Sequence, residues 1–329
     1  MQGLRFFETP APDDAPAPAA EAAAGLRAHP AALPPKFFYD ALGSRLFDAI
    51  TALHEYYPTR TEAAIFAAQG PAIAAAVHAA LGPAPTLIDL GAGSCEKAAA
   101  LFPALQPAHY VAVDISATHL RGVLARLQQL HPAVAMTGVG LDFSARLVLP
   151  PGVLEPAQPA QPARPALVFY PGSSIGNFGP EAALRLLRQA RALAAGGALL
   201  IGVDRVKPRP VLEAAYDDAL GVTAAFNLNV LCHVNTLLGS DFDVRQWQHV
   251  AFFDEAASRI EMHLQARQAL TVRWPGGERR FEAGERIHTE HSYKWTPEAF
   301  TALLHDAGWG SVQHWTDERG WFSVFLARG

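Results

Sequence analysis

The stretch Asp89-Leu90-Gly91-Ala92-Gly93-Ser94 closes the apolar run from Thr86 to Leu90, and about one strand-plus-helix later Asp114 closes a second run, Tyr110 to Val113. A strand that ends in a Gly-x-Gly turn and leads into a helix brings bare backbone N–H groups close to a ligand, and an acid at the tip of the next strand can accept both hydroxyls of a ribose. The pair predicts a nucleoside-containing ligand. A lone Gly-x-Gly also serves as a purely structural turn, so the reading leans on its link to Asp114 and to a further acid, Asp142. That residue follows the run Val134 to Leu141 and would sit at the third strand tip, near an adenine amino group.

The third glycine decides which nucleoside. A dinucleotide turn of the Gly-x-Gly-x-x-Gly type places a pyrophosphate on the helix N-terminus, but here that position is Glu96, whose charge would face the phosphates. A nicotinamide dinucleotide is therefore disfavoured. S-adenosylmethionine carries ribose and adenine without phosphate and ends in a zwitterionic amino acid, which suits an acid beside a short glycine turn.

Outward from this turn, apolar runs alternate with helical stretches: Thr86 to Leu90, Tyr110 to Val113, Val134 to Leu141, Ala166 to Tyr170 and Ala198 to Val203, with helices such as Ala117 to Leu130 and Pro180 to Ala195 between them. This βα repeat predicts a parallel sheet with helices on both faces. The Pro/Ala-rich segment 149–165 reads as a surface loop before the fourth strand. Beyond Val203 the pattern changes. Pro208 to Asn235 looks helical, while Val250 to Trp274 and Arg279 to Tyr293 alternate apolar and polar residues and predict an antiparallel ribbon. Thr296 and Pro297 then read as an N-cap and first helical residue, Gly308 as the stop, and the strands Ser311 to Thr316 and Trp321 to Ala327 finish the chain. A doubly wound sheet ending in a helix and a hairpin is the organisation of class I methyltransferases. The expected fold is thus α/β, a Rossmann-like sheet with an inserted α+β substrate-binding domain.

Composition narrows the partners. The chain has 329 residues, half of them hydrophobic, and a formal charge of −5 with no basic run, which argues against nucleic acid or an anionic membrane as a partner. The N-terminal residues lack a signal-peptide pattern, and no stretch is expected to span a bilayer. Two distant cysteines, Cys95 and Cys232, point to a reducing cytoplasmic setting rather than a disulfide framework, and a monomer is expected. The thirteen histidines suggest no metal set. His288 and His291, three apart on a predicted strand, should face opposite ways.

Seven ordered segments resemble one family, the L-histidine Nα-methyltransferases of ergothioneine biosynthesis. They are Phe38 to Phe47, Glu55 to Arg60, Asp89 to Lys97, Pro171 to Phe178, Ala215 to Asp218 with Thr223 to Asn227, Ile260 to Met262, and Thr289 to Ser292. His54, Cys95 and Ser174 depart from the commoner family residues. The resemblance implies transfer of three methyl groups, one from each of three S-adenosylmethionine molecules, to the α-amino group of L-histidine, giving hercynine, with no metal. Another aromatic amino acid or amine, such as a tryptophan derivative, is the alternative acceptor within the same chemistry. The Ala/Pro-rich residues 1–30 read as a flexible segment, and the change of pattern divides the rest into a cofactor domain of 31–62, 82–207 and 294–329 and a substrate domain of 63–81 and 208–293. Tyr39, Gly91, Gly93, Lys97, Asp114, Asp142 and Phe143 would line the cofactor site, Lys97 holding the methionine carboxylate. Asn177 with Tyr56 or Tyr39 would orient the amine. Tyr56, Gly172, Asn177, Tyr216, Phe226, Met262, Glu290 and Ser292 would meet the substrate, Tyr216 at its carboxylate.

One part of this set has a physical reading of its own. Residues two apart on a strand share a face, so Glu290 and Ser292 point one way and His291 the other. That face presents two acceptors for an imidazole N–H, with Met262 placed to press on the ring. A solvated strand face is the plain alternative. A methyltransferase of the same fold acting on another amine would be expected to lack the pair, and a cofactor-binding module without turnover would bind S-adenosylmethionine and transfer nothing.

Overall fold

A computed structural model describes residues 4–8, 17–144, 146–154 and 166–329. It divides the chain into two units, one of Met1–Pro12, Arg60–Arg205 and Trp295–Gly329, the other of Asp13–Thr59 and Val206–Lys294.

The first unit is built on an eight-stranded sheet in the order Arg5–Glu8, Ala135–Gly140, His109–Asp114, Thr86–Leu90, Ala166–Tyr170, Ala198–Asp204, Phe322–Arg328, Ser311–Thr316. The first six strands run parallel and the last two pair antiparallel. Because the central strands are buried on both faces, each carries apolar residues at successive positions rather than alternating ones. Leu87, Tyr110, Ala112, Leu167 and Phe169 join one apolar layer, and Ile88, Val111, Val113, Val168 and Tyr170 the other. Helices supply the facing residues: Leu120, Val123, Leu124 and Leu127 of Ala117–Leu130 follow the helical repeat into the first layer, and Leu186 and Leu187 of Pro180–Ala194 enter the second. The helix Pro297–Asp306 starts as its sequence predicts, with the Thr296 hydroxyl accepting from Ala299 N–H at 3.2 Å and Pro297 in the first turn.

The N-terminus departs from the expected flexible 1–30. Arg5–Glu8 adds an edge strand beside Ala135–Gly140, with Phe6 opposite Gly138. A Cβ on Gly138 would lie 2.4 Å from the Phe6 ring, so this glycine makes room for the strand, and Arg121 covers Phe6 from 3.9 Å while bridging Glu8 at 2.6 Å. Pro18–Arg27 is a helix in the second unit, its last carbonyls held by the Arg279 guanidinium. Residues 1–3, 9–16 and most of the predicted Pro/Ala loop (155–165) lie outside the described residues.

The second unit is a four-stranded sheet, Ala31–Ala32, Arg286–Tyr293, Arg259–Ala266, Trp247–Asp254, packed on the helix Val222–Leu238, with a small hairpin of Leu270–Trp274 and Gly277–Phe281. The predicted ribbon is therefore three sheet strands and a hairpin. The predicted helical run from Pro208 breaks into Arg209–Ala214 and Val222–Leu238, because Asp218 accepts the Val222 and Thr223 N–H groups and Gly221 takes a left-handed conformation at the cap. Domain boundaries also differ from expectation. Most of 31–62 belongs to the second unit, whereas 63–81 belongs to the first, since Ile65, Ile73, Val77 and Leu81 of the helix Tyr57–Leu81 enter the first unit's core. This helix is long and apolar enough, by length and composition, to cross a membrane, contrary to the reading of the sequence, its many alanines raising the mean hydropathy around those four buried residues.

Candidate active site

In the first unit the glycine turn and the acid of the next strand are bonded together. Gly93 N–H donates to Asp114 Oδ2 at 2.9 Å, and Ser116 N–H to Oδ1 at 2.8 Å. The turn's N–H groups are consequently not bare: Gly91 and Ala92 both donate to the Val113 carbonyl. Their use here is to lock the turn against the neighbouring strand, which leaves Gly91, at a positive φ of 70° with Phe143 3.9 Å from its Cβ position, as open backbone. Phe143 packs edge-on to Tyr170 at 5.8 Å, and the Asp142 carboxylate accepts Ser144 N–H at 3.0 Å. Beneath the turn, burial pushes the Asp89 carboxyl up to about 7 against the opposing bond from Tyr110 Oη at 2.7 Å, and pushes the Cys95 thiol up to about 12. Cys95 lies in the core under the turn.

Lys97, on the helix Glu96–Leu105, meets a residue that the sequence reading did not single out. Glu62 is 1% exposed, its Oε2 lies 2.7 Å from Lys97 Nζ, and its Oε1 accepts Gly172 N–H at 2.8 Å. A Cβ on Gly202 would stand 2.0 Å from that oxygen, so a glycine is required opposite it. Glu62 thus ties the lysine to the loop that carries Gly172, Ser173 and Asn177. That loop is anchored again by Asp204 N–H donating to Ser173 Oγ at 2.8 Å, and Asn177 ends its 3-10 turn half-buried. The available signal was chemical: Glu62 is the sole acid in the 25 residues of its helix. An acid at a strand tip, an aromatic ring beside open glycine backbone and a nearby ammonium are groups that could take the diol, the adenine and the carboxylate of S-adenosylmethionine.

In the second unit the motif around Phe38 becomes a tight helix start. Asp40 Oδ1 accepts Gly43 N–H at 2.6 Å and Asn229 Nδ2–H at 2.9 Å, and a Cβ on Gly43 would lie 1.7 Å from the Phe38 carbonyl. This fixes Tyr39 among aromatic rings: 5.9 Å from Phe47 and 6.1 Å from Phe226, with Tyr56 6.2 Å from Phe47 and 6.3 Å from Tyr216. Tyr39, expected with the cofactor residues, lies in this unit. Phe47 joins the set without having been singled out.

On Arg286–Tyr293, Glu290 stands opposite Met262 and Ser292 opposite Ile260, all four buried, while His291 lies half-buried on the other face, its ring 5.2 Å from Tyr293. The expectation for His288 and His291 fails: their rings stack 5.5 Å apart. The cause is a bulge between His288 and Glu290, where the Thr289 hydroxyl turns inward to Asn227 Oδ1 at 2.8 Å and the Met262 carbonyl at 3.0 Å and shifts the alternation by one. No group of three or more His, Cys, Asp or Glu side chains among the described residues is placed to hold a metal ion.

Ser292, one of the predicted pair of acceptors, is already engaged within the protein. Its Oγ receives Tyr216 Oη–H at 2.8 Å and Lys294 Nζ–H at 2.9 Å, and Lys294 also donates to Tyr216 Oη at 2.9 Å. Extending the two-residue alternation one step past Ser292 reaches Lys294, a buried lysine that the sequence reading left out. Tyr216 lies in the turn between the two helices, where its carbonyl bonds His249 Nε2 at 2.8 Å.

Residues 18–329 match the model of a family described as histidine-specific methyltransferase, SAM-dependent. The chain is 42% identical over 311 residues to histidine N-alpha-methyltransferase of Mycolicibacterium smegmatis and 41% identical to that of Mycobacterium tuberculosis, covering 92% of this chain and 92% of each relative. It is 31% identical over 250 residues to ergothioneine biosynthesis protein 1 of Schizosaccharomyces pombe, spanning 73% of this chain and 31% of that longer protein. The chain belongs to the histidine-specific, S-adenosylmethionine-dependent methyltransferase family.

Proposed function

We propose that the protein transfers methyl groups from S-adenosylmethionine to the α-amino group of L-histidine until the trimethylated betaine, hercynine, is formed, as a step of ergothioneine biosynthesis. Within the family, the observation that carries the choice of substrate is the buried pair Glu290 and Ser292, opposite Met262 and Ile260. A carboxylate next to a hydroxyl, with Met262 and Ile260 opposite them, suits a flat ring with polar nitrogens. An indole offers one N–H and a second, larger apolar ring, so it would match only one of the two polar groups.

The bound cofactor supplies an electrophilic methyl on a sulfonium. The protein's part is to hold a neutral amine in line with it, and such positioning is worth roughly 7–11 kcal/mol. Asn177 is assigned to the α-amino group, helped by Tyr56 or Tyr39, and Tyr216 to the carboxylate. Asp114, Lys97, Asp142 and Phe143, with Gly91 and Gly93, are assigned to the cofactor. As methyls accumulate the nitrogen loses its donors, and the rings of Tyr39, Tyr56 and Phe226 favour a quaternary cation by about 0.5–2 kcal/mol. Incubation with S-adenosylmethionine and a pool of the common amino acids, read by mass spectrometry, tests this reading. Histidine alone should gain methyl groups, and equal methylation of tryptophan or tyrosine would overturn it.

A further inference from the structure

Glu62 is a buried acid on a helix that has no other, and a buried ion pair seldom stabilises a protein more than a well-packed apolar side chain of the same volume. Stability alone therefore does not account for it. The surroundings are shaped to this one carboxylate and its partner by two glycines. A Cβ on Gly202 would stand 2.0 Å from Glu62 Oε1, and a Cβ on Gly172, which has a φ of +79°, would stand 3.0 Å from Lys97 Nζ. One glycine clears the carboxylate and the other clears the ammonium. Gly172 then donates its N–H to Oε1 at 2.8 Å, while Oε2 meets Lys97 Nζ at 2.7 Å.

We propose that Glu62 is a positioning residue for the amino-acid end of the cofactor, holding the Lys97 ammonium beside Gly172 so that it meets the methionine carboxylate there. This rests on the assignment of Lys97 to that carboxylate and adds the group that places it. Glu62 is 1% exposed and out of reach of a ligand, whereas the lysine is 38% exposed, so the acid acts through the lysine. A lysine carries its charge on a flexible stem, and unheld it spreads that charge over many positions. An ammonium has three N–H donors, and Glu62 takes one of them, which leaves two for a carboxylate. The acid is in turn fixed by the Gly172 N–H, and Gly172 is held in place with its loop by the bond from Asp204 N–H to Ser173 Oγ at 2.8 Å. The nucleoside end of the cofactor is assigned to other groups, Asp114, Asp142 and Phe143, none of which bonds Glu62. Its contribution should therefore be confined to ligands that carry the amino-acid end.

S-adenosylhomocysteine and methylthioadenosine separate the two ends, because they share adenine, ribose and a thioether sulfur and only the first carries the amino acid. Glu62→Gln keeps an oxygen for the Gly172 N–H and turns an amide NH2 toward the lysine, so it breaks the lysine half of the contact alone. In calorimetry it should weaken S-adenosylhomocysteine binding about tenfold, the effect of losing a hydrogen bond to a charged group, and change methylthioadenosine binding by less than about twofold. Lys97→Met should show the same selectivity, and the double variant should bind S-adenosylhomocysteine no more weakly than Lys97→Met does. Glu62→Asp keeps the charge and draws it back by one methylene, so it should move both ligands in the same sense and carries the comparison if the glutamine variant does not fold. Equal losses for the two ligands in a folded Glu62 variant overturn the proposal, as do losses that multiply in the double variant. If Lys97→Met binds both ligands as the wild type does, the assignment of the carboxylate to Lys97 falls and this inference with it. If Lys97→Met loses S-adenosylhomocysteine while the Glu62 variants keep it, the role of Glu62 alone is overturned.

Discussion

At the scale of single residues, function divides between groups set by a local motif and groups set by distant partners. Glu290 and His291 are neighbours in sequence on opposite faces of one strand, so they form an internal control. Glu290→Ala should lower kcat/KM for histidine at least tenfold, because a hydrogen bond to a charged group is worth about 1.5–3 kcal/mol, while His291→Ala should cost far less. Steady-state kinetics at matched folded fraction decide it, and equal losses would place imidazole recognition elsewhere. Glu62 allows a similar comparison on stability. Glu62→Ala leaves the Gly172 N–H without its acceptor and opens a void, at about 2–4 kcal/mol. Glu62→Gln keeps that acceptor and gives up a pair whose lysine is 38% exposed and can turn to water, at roughly 1 kcal/mol. Urea denaturation in which glutamine is as damaging as alanine would show that the Gly172 bond is not what Glu62 supplies. Gly91, Gly93 and Asp114 were legible because a strand, a turn and the next strand tip fix their relation over a short stretch of chain. The role of Glu62 was not, because its partner Gly172 lies 110 residues away.

Among elements, those with a strong period were legible, and irregular ones were not. The helix Ala117–Leu130 was read to its termini, since its buried leucines and valine repeat at three and four residues. The edge strand Arg5–Glu8 was missed because four residues carry too little pattern, and its support comes from Gly138 on a distant strand. The bulge at Thr289 was invisible to a count of two, and it sets which way Glu290 and Ser292 face. Asn227 holds that bulge: fully buried on Val222–Leu238, it accepts from Thr289, donates to the His263 carbonyl at 3.0 Å and bonds His249 Nδ1 at 2.8 Å. Asn227→Ala should therefore destabilise by about 2–4 kcal/mol, through several buried groups left without partners, and should reduce histidine affinity although Asn227 was assigned no contact with it. Calorimetry on the folded variant showing unchanged histidine affinity would separate the bulge from the site.

For the whole molecule, buried ionisable groups give stability opposing dependences on pH. Asp89 is raised from 3.8 to about 7, chiefly by burial, so folding takes up a proton between those values and its contribution declines as pH rises through that window, by on the order of 4 kcal/mol. His109 and His288 are lowered from 6.5 to about 4 by burial, so the stability they confer is present above 6.5 and lost as pH falls. Asp89→Asn should remove the first dependence. Its stability relative to wild type should rise from pH 4 to 7 and then level off, leaving the acid-side loss from the histidines, and parallel stability curves for the two proteins would contradict the raised carboxyl. The assignment of reaction is a separate matter and meets its most direct test in labelled product. With S-adenosylmethionine carrying a CD3 methyl and L-histidine as acceptor, mass spectrometry and NMR should find three CD3 groups, all on the α-nitrogen, with both ring nitrogens unlabelled. Label on the imidazole, or an end product that stops short of the quaternary amine while S-adenosylmethionine remains, would contradict trimethylation of the α-amino group.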